Sequence, residues 1–457
     1  SIKDVYVYPL VSDFRARMGV AAPVVQALAP ESGLDAGQWA AQEFGGCDLG
    51  DTRLTAQLVT IAETKGQQPS GSYARACGGD RHQLKSYYRL INNDRDQMSS
   101  TALLSGHRAQ TIRRLAHEQT ALIIQDTTDL NFSTRKQCLD LGLVGKNQTG
   151  TESMGLKMHS AVAVTTTGLP LGVLRIQTYA PEAKTEKADP HRAIEEKESY
   201  RWLATCADAG EIAEQLPHTR VVCIGDRESD LFELFDQRRR QRGHVDLLVR
   251  AKHDRCLQDD TQKLFAHMAE GRPDGHVSLA VPRQREHVGK PSKPGRPSLP
   301  ARTAEVEVRF RAVTIRAPQT PLLKDKPPLT LFAISLRETQ PPPGATRVEW
   351  MLLTTIEVRS LKQAMTCVRW YCLRWRIEEW HRVLKGGCQI LAHQNHSAEA
   401  LTRTIAIDAV IAWRIMLLAL LGRDVPEVPC SVLFDPWECE VLQLLAEKKT
   451  ASPSGRP

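Results

Sequence analysis

At 457 residues, 41% hydrophobic and 25% charged, the chain has the composition of a globular protein of two or three domains, which excludes a disordered or fibrous class. The net charge of +7 is compatible with nucleic-acid binding without requiring it. Eleven cysteines with no CxxC pair argue against a zinc site and point to reduced thiols and a cytoplasmic location, and neither a signal peptide nor a membrane span is expected. The most apolar run, Ile411 to Leu421, is interrupted by Arg414 and reads as too short to cross a bilayer.

In chain order, residues 1–33 lack periodicity and read as a leader of uncertain order. Helical patterns follow in LDAGQWAAQEF, DLGDTRLTAQLVTIAETKG, HQLKSYYRLINND and TALLSGHRAQTIRRLAHEQ, punctuated at Gly45-Gly46 and Gly78-Gly79. They predict an N-terminal helical domain over 34–119. The first clear strand is ALIIQD, ending at Asp126, and MHSAVAVTTTG and LPLGVLRIQTYA then form a meander around Gly168. A helix over about 193–208, the strand RVVCIGD ending at Asp226, the helix DLFELFDQRRRQ and the strand HVDLLVRAKH complete the region 120–255. Three strands, then helix, strand, helix, strand, predicts an α/β fold with a ribonuclease-H-like mixed sheet flanked by helices.

Residues 256–359 are rich in proline and strand-like runs and read as an inserted β-rich subdomain. Within and beside it, Val281 to Arg316 holds nine Lys/Arg against three Glu, which concentrates nearly all the excess positive charge. From Ser360, an N-cap residue, to Lys385 there is no Gly or Pro, so one long helix is expected within 360–395. A C-terminal helical segment over 396–457 includes a helix near Leu401 to Leu421 and closes on the tail KKTASPSGRP, expected to be disordered.

Asp126 and Asp226 each close an apolar run, and carboxylates at strand C-termini are where open α/β sheets place ligand groups. The helix adds a third acid. At about 100° per residue, Tyr371, Arg374, Glu378, Arg382 and Lys385 fall within a stripe roughly 80° wide, while Glu379 falls off it. A single glutamate among a tyrosine and three cations is unusual for a solvated face, so Glu378 is the candidate. Asp126, Asp226 and Glu378 together suit two Mg²⁺ or Mn²⁺ ions, which take hard oxygen ligands and can stabilise both the attacking and the leaving oxygens of a phosphodiester. Nearby Arg374 could grip phosphate bidentately and Lys385 as a point charge.

The stretch YCLRWRIEEWHRVLK carries Tyr-x2-Arg-x3-Glu-x6-Lys and resembles the signature of the insertion-sequence-four family of DDE transposases. QDTTDL at Asp126 and GDRESD at Asp226 are similar to that family's contexts for its two catalytic aspartates, and the likeness runs from about Asp48 to Glu440. The resemblance implies that Asp126, Asp226 and Glu378 are the catalytic, metal-binding triad. It implies that Tyr371, Arg374, Lys385, Arg227, Arg250 and Lys252 approach DNA phosphates, and that Trp350 helps hold a flipped base. It further implies cut-and-paste DNA transposition: metal-dependent hydrolysis at transposon ends, then strand transfer by the freed 3′-hydroxyl, through a hairpin. The partners implied are duplex DNA with inverted-repeat ends, target DNA and a second copy of the chain in a synaptic dimer. The family's C-terminal dimerisation segment is not matched, and 396–457 reads as truncated. The alternative is a catalytically silent DNA-binding or partner-binding inhibitor of transposition.

Overall fold

The computed structural model describes residues 38–450 except 136, 147–150, 182–190, 242–244, 259–260, 282, 285, 287–294, 425–428 and 435. The expected leader, the last seven residues of the tail and much of the basic loop before 295 lie outside the described residues.

Five helices come first: α1 (Trp39–Phe44), α2 (Thr52–Gln67), α3 (Tyr73–Ala76), α4 (Arg81–Ile91) and α5 (Ser100–Leu115). Their starts are set locally. Asp51, Ser72, Asp80 and Ser99 each stand extended before a helix and accept a backbone N–H of its first turn, which satisfies donors that have no intrahelical partner.

Ten strands then build one mixed sheet: β1 (Thr120–Asn131), β2 (Gly142–Lys146), β3 (Glu152–Thr165), β4 (Pro170–Tyr179), β5 (Arg220–Gly225), β6 (Val245–Arg250), β7 (Gly275–Val281), β8 (Arg302–Ile315), β9 (Leu329–Glu338) and β10 (Glu349–Thr354). β3 is antiparallel to both β1 and β4, and the β3–β4 turn uses Gly168 at φ +95°, a conformation costly for any residue with a Cβ. β1, β5 and β6 are parallel. The crossovers between them carry α6 (Tyr200–Gln215) and α7 (Phe232–Arg240). α6 starts seven residues later than the expected 193, because its buried residues, Trp202 through Ala213, only begin beyond the charged stretch IEEKES.

The region expected as an inserted β-rich subdomain does not form a sheet of its own. β10 pairs antiparallel with β6, and β9, β8 and β7 follow in turn, so these strands prolong the central sheet. A short helix, α8 (Leu264–Ala269), packs beside β8 and β9. The arginines of this stretch serve the fold: Arg302 pairs with Glu338, Arg309 with Glu307, and Arg311 donates to the His267 and Glu270 carbonyls.

The expected single long helix is broken in two. α9 (Leu361–Cys372) and α10 (Trp375–Arg382) are separated by a tightened turn in which Leu373, Arg374, Arg376 and Ile377 donate to carbonyls three residues back. A π-helical turn, Val383–Gly387, follows α10. Last come α11 (Ala398–Asp424) and α12 (Pro436–Thr450). Contrary to the sequence reading, α11 is long and apolar enough to cross a bilayer, with a mean hydropathy of 2.1 in its best window, yet 72% of that window is buried within the protein. It packs on α5, β4 and α2. Arg414 is accommodated where α11 meets its neighbours, donating to the Leu433 carbonyl and lying 5.1 Å from the Trp39 ring.

The N-terminal helices are tied to this core by buried polar groups. Glu43 of α1 pairs with His107 and Arg114 of α5; His107 accepts the Val173 N–H of β4, and Arg114 lies over the Trp413 ring of α11. Lys65 of α2 approaches Asp408 of α11, which also binds His393. Buried charges are tolerated only when paired in this way.

Candidate active site

The parallel pairing of β1 with β5 ends at Ile124–Ile224, and β5 itself ends one residue later, at Gly225. β1 continues alongside β3 to Asn131, so Asp126 lies in the middle of its strand, not at the expected C-terminal end. Asp226 follows the last residue of β5 and caps a short 3₁₀ turn by accepting the Glu228 N–H at 2.8 Å. Its fold-back requires Gly225: a Cβ there would lie 2.2 Å from Ser229 Oγ and 3.0 Å from the Trp202 ring. The two aspartates therefore stand two residues beyond the last common rung of adjacent parallel strands.

α10 lies over β1 and brings the third acid. Arg374, buried at the helix break, donates from Nη2 to Glu378 Oε1 at 2.7 Å and places Nη1 3.9 Å from Asp126 Oδ2. Burial drives the Asp126 carboxyl up to about 7; Arg374 counters this, while Asp226 and Glu378 add to it. Burial also disfavours the Arg374 charge, but Tyr371, Asp126 and Glu378 outweigh it and hold the guanidinium firmly protonated. Asp126 thus senses both other acids, as charges converging on one place must. Lys385, carried by the π turn, donates to Thr128 Oγ1 at 2.6 Å and to the Asp129 carbonyl at 2.8 Å.

The break and the π turn alter the stripe read from a uniform helix. Arg374, Glu378 and Lys385 face the sheet, whereas Arg382 is exposed and is replaced on the inner face by His381. Glu379 points elsewhere and pairs with Arg376 at 2.6 Å. Tyr371 is buried edge-to-face against Trp350, with ring centroids 5.3 Å apart. Trp350 is only 5% exposed and also has the Arg250 guanidinium 5.7 Å from its ring, so it does not present the open face expected for a flipped base. Arg250 is buried and donates to the Glu349 carbonyl, which corrects its expected place at a phosphate surface. Lys252 is exposed, on a loop whose Lys252 and His253 N–H groups are held by buried Asp230, and Arg227 is half-buried beside Asp226.

Several residues here escaped the sequence reading. Lys157 lies opposite Asp129 across β1–β3 and pairs with Glu198 at 3.4 Å. Below the sheet, His159 bonds Thr127 Oγ1 at 2.9 Å and approaches Gln125, the two neighbours of Asp126. Above it, His381 bonds Ser160 at 3.1 Å. The alternation of β1 and β3 hinted at these faces, but pairing register is not written in either strand alone.

Carboxylate oxygens suit hard divalent ions in kind, and burial, with the charges of Asp226 and Glu378 adding to it, raises the Asp126 carboxyl. Among the described residues no three acidic, His or Cys side chains are gathered at ligand spacing. The Arg374 guanidinium stands between Glu378 and Asp126.

Residues 36–95 match the family model described as transposase DNA-binding. That segment covers α1 to α4, and it exposes Arg53, Arg75, Arg81, Lys85, Arg89 and Arg95. Among solved structures, the chain is similar to a piggyBac transposase synaptic complex with hairpin DNA determined by cryo-EM. The identity is 10% and the TM-score 0.35, over 98% of this chain and 73% of that one.

Proposed function

We propose that the chain is a DDE-type DNA transposase that cuts DNA at transposon ends and joins the freed 3′-hydroxyl to target DNA. The observation that carries this reading is the placement of Asp126 and Asp226 two residues beyond the last common rung of β1 and β5, with Arg374 bridging Asp126 to Glu378 on the overlying helix and Lys385 held against Thr128. The strand order β4–β3–β1–β5–β6, three antiparallel strands then two parallel ones, supports a ribonuclease-H-like core. The transposase DNA-binding match at 36–95 supports DNA as the partner.

Asp126, Asp226 and Glu378 would hold two Mg²⁺ or Mn²⁺ ions. Such ions, when bound, activate the attacking oxygen and stabilise the leaving one. Phosphate entering the site gives Arg374 a bidentate anionic partner, and Lys385, fixed against β1, supplies a second charge at constant distance from Asp126. Lys252 and Arg227, at the mouth, would engage the flanking backbone. The exposed arginines of α2 to α4 would hold the DNA end, and a second copy of the chain would complete the synaptic assembly.

The test is incubation of supercoiled plasmid bearing the inverted repeats that flank the coding gene with protein and Mg²⁺. Excision at both ends is expected; cutting indifferent to the repeats would replace the reading with a general nuclease, and binding without cutting would replace it with an inhibitor.

A further inference from the structure

Asp126 and Ser160 are directly opposed across β1–β3, so their side chains rise from the same face of the sheet. Ser160 is fully buried, and its hydroxyl is joined to Nε2 of His381, itself only 5% exposed, at 3.1 Å. His381 lies three residues beyond Glu378 on α10, on the same helical face. One hydrogen bond therefore links the strand position beside Asp126 to the helix turn that bears Glu378. Ile377 packs apolarly, and Trp380 donates from its indole N–H to the Ala409 carbonyl of α11 at 3.1 Å, which ties α10 to α11 but not to the strand that bears Asp126. Burial, with Lys385 and Arg374 nearby, keeps the His381 ring neutral, so it offers one N–H and one lone pair and no charge that would compete for the acids.

We propose that the Ser160–His381 hydrogen bond is a positioning clamp that sets the register of Glu378 over Asp126. His381 and Ser160 touch neither the DNA nor the reacting atoms in this arrangement; they act through Glu378. The clamp rests on the active-site reading above for its consequence in catalysis, but its structural effect stands apart from that reading.

Three variants separate the possibilities. Ser160→Ala and His381→Phe remove the bond with little change of volume, and His381→Gln keeps a donor at the Nε2 position. The clamp predicts that the first two lower kcat for end cleavage by about ten- to a hundredfold, the range for groups that orient ligands, with Kd for end DNA and the melting temperature close to the parent's. His381→Gln should recover most of kcat. The double variant Ser160→Ala/His381→Phe should be no worse than either single one, since both delete one bond. In the protein alone, without DNA or metal, hydrogen exchange should quicken over residues 375–387 and not elsewhere.

Additive losses in the double variant, failure of His381→Gln to recover, or exchange in 375–387 unchanged by Ser160→Ala would each overturn the clamp. If the parent chain does not cleave DNA at all, the transposase reading fails, while the exchange comparison still decides whether the clamp exists.

Discussion

Arg374 lies between two acids of different origin: Glu378, one turn along its own helix at 2.7 Å, and Asp126, on β1 at 3.9 Å. Its side chain is only 7% exposed, so it holds a buried positive charge whose partners are the residues assigned to catalysis. Replacing Arg374 by Ala leaves Asp126 and Glu378 without their shared counter-charge. A loss of roughly 3 kcal/mol in apo stability is expected, the scale for breaking a buried pair. Urea unfolding with and without Mn²⁺ checks it. The variant should regain more stability from the metal than the parent does; equal gains would show that Arg374 and the ions do not share a place.

Asp126→Ala, Asp226→Ala and Glu378→Ala should each lower strand cleavage on the order of 10⁴-fold or more, and the triple variant hardly further, because the three act as one unit. Glu379→Ala removes only an ion pair with Arg376 on another face and should cleave within a few-fold of the parent. Gel assays of plasmid cleavage under single-turnover conditions decide it. A dead Glu379 variant beside an active Glu378 variant would mean that the wrong acid has been assigned.

DNA affinity should depend steeply on salt, and Arg81→Gln, Lys85→Gln and Arg89→Gln should each lower the slope of log K against log salt by about 0.9 for every phosphate left without its cation. Arg302→Gln and Arg309→Gln should leave that slope unchanged and lower stability instead, since these arginines are bound to Glu338 and Glu307. Fluorescence anisotropy at several salt concentrations distinguishes the two sets. The reverse pattern would move the DNA track to the β8 side of the sheet.

Stability should fall on acidification below the ordinary histidine range. Burial holds His159 and His381 neutral, down to about 3, with Arg201 and Arg175 adding to it for His159 and Lys385 for His381. The unfolded chain takes up these protons near pH 6.5 and the folded one only near 3. The stabilisation is therefore full above about 6.5 and is lost progressively between 6.5 and 3, by up to about 1.4 kcal/mol per pH unit for each histidine. Urea midpoints at pH 7, 5.5 and 4 should fall in that order, and His159→Gln should flatten the trend.

Asp126, Asp226 and Glu378 stood out as candidates because the two aspartates follow apolar runs and Glu378 sits in a helical pattern dense with cations, and the pairing of β1 with β5 sets the two aspartates at equal height on neighbouring strands. What the sequence concealed was cumulative geometry. The break at Leu373–Arg374 and the π turn at Val383–Gly387 involve no Gly or Pro before Gly386, so a helix of constant pitch was the natural expectation. It placed Arg382 where His381 belongs. Likewise, strands β7 to β10 gave alternating patterns that fit a separate sheet as well as a continued one; only the pairing of β10 with β6, about a hundred residues apart, decides between them. Burial of Trp350 and Arg250 is a further result of that pairing, and nothing in EWMLLT or RAK announces it.

The burial of α11 has a consequence in time. α5 and β4 rest against this helix, and the third acid precedes it by only twenty residues, so about 300 residues separate Asp126 from the end of the segment that completes its surroundings. At ordinary rates of synthesis the ribosome needs roughly 15 to 60 s to cover that distance. During that interval the nascent chain can present the basic helices α2 to α4 but has no Glu378 to set beside its aspartates. A product terminated early keeps that deficiency and also leaves the apolar surfaces of α5 and β4 uncovered, which marks it for chaperones and proteases. Incomplete chains in this way lack the third candidate acid and leave an apolar surface open at the same time.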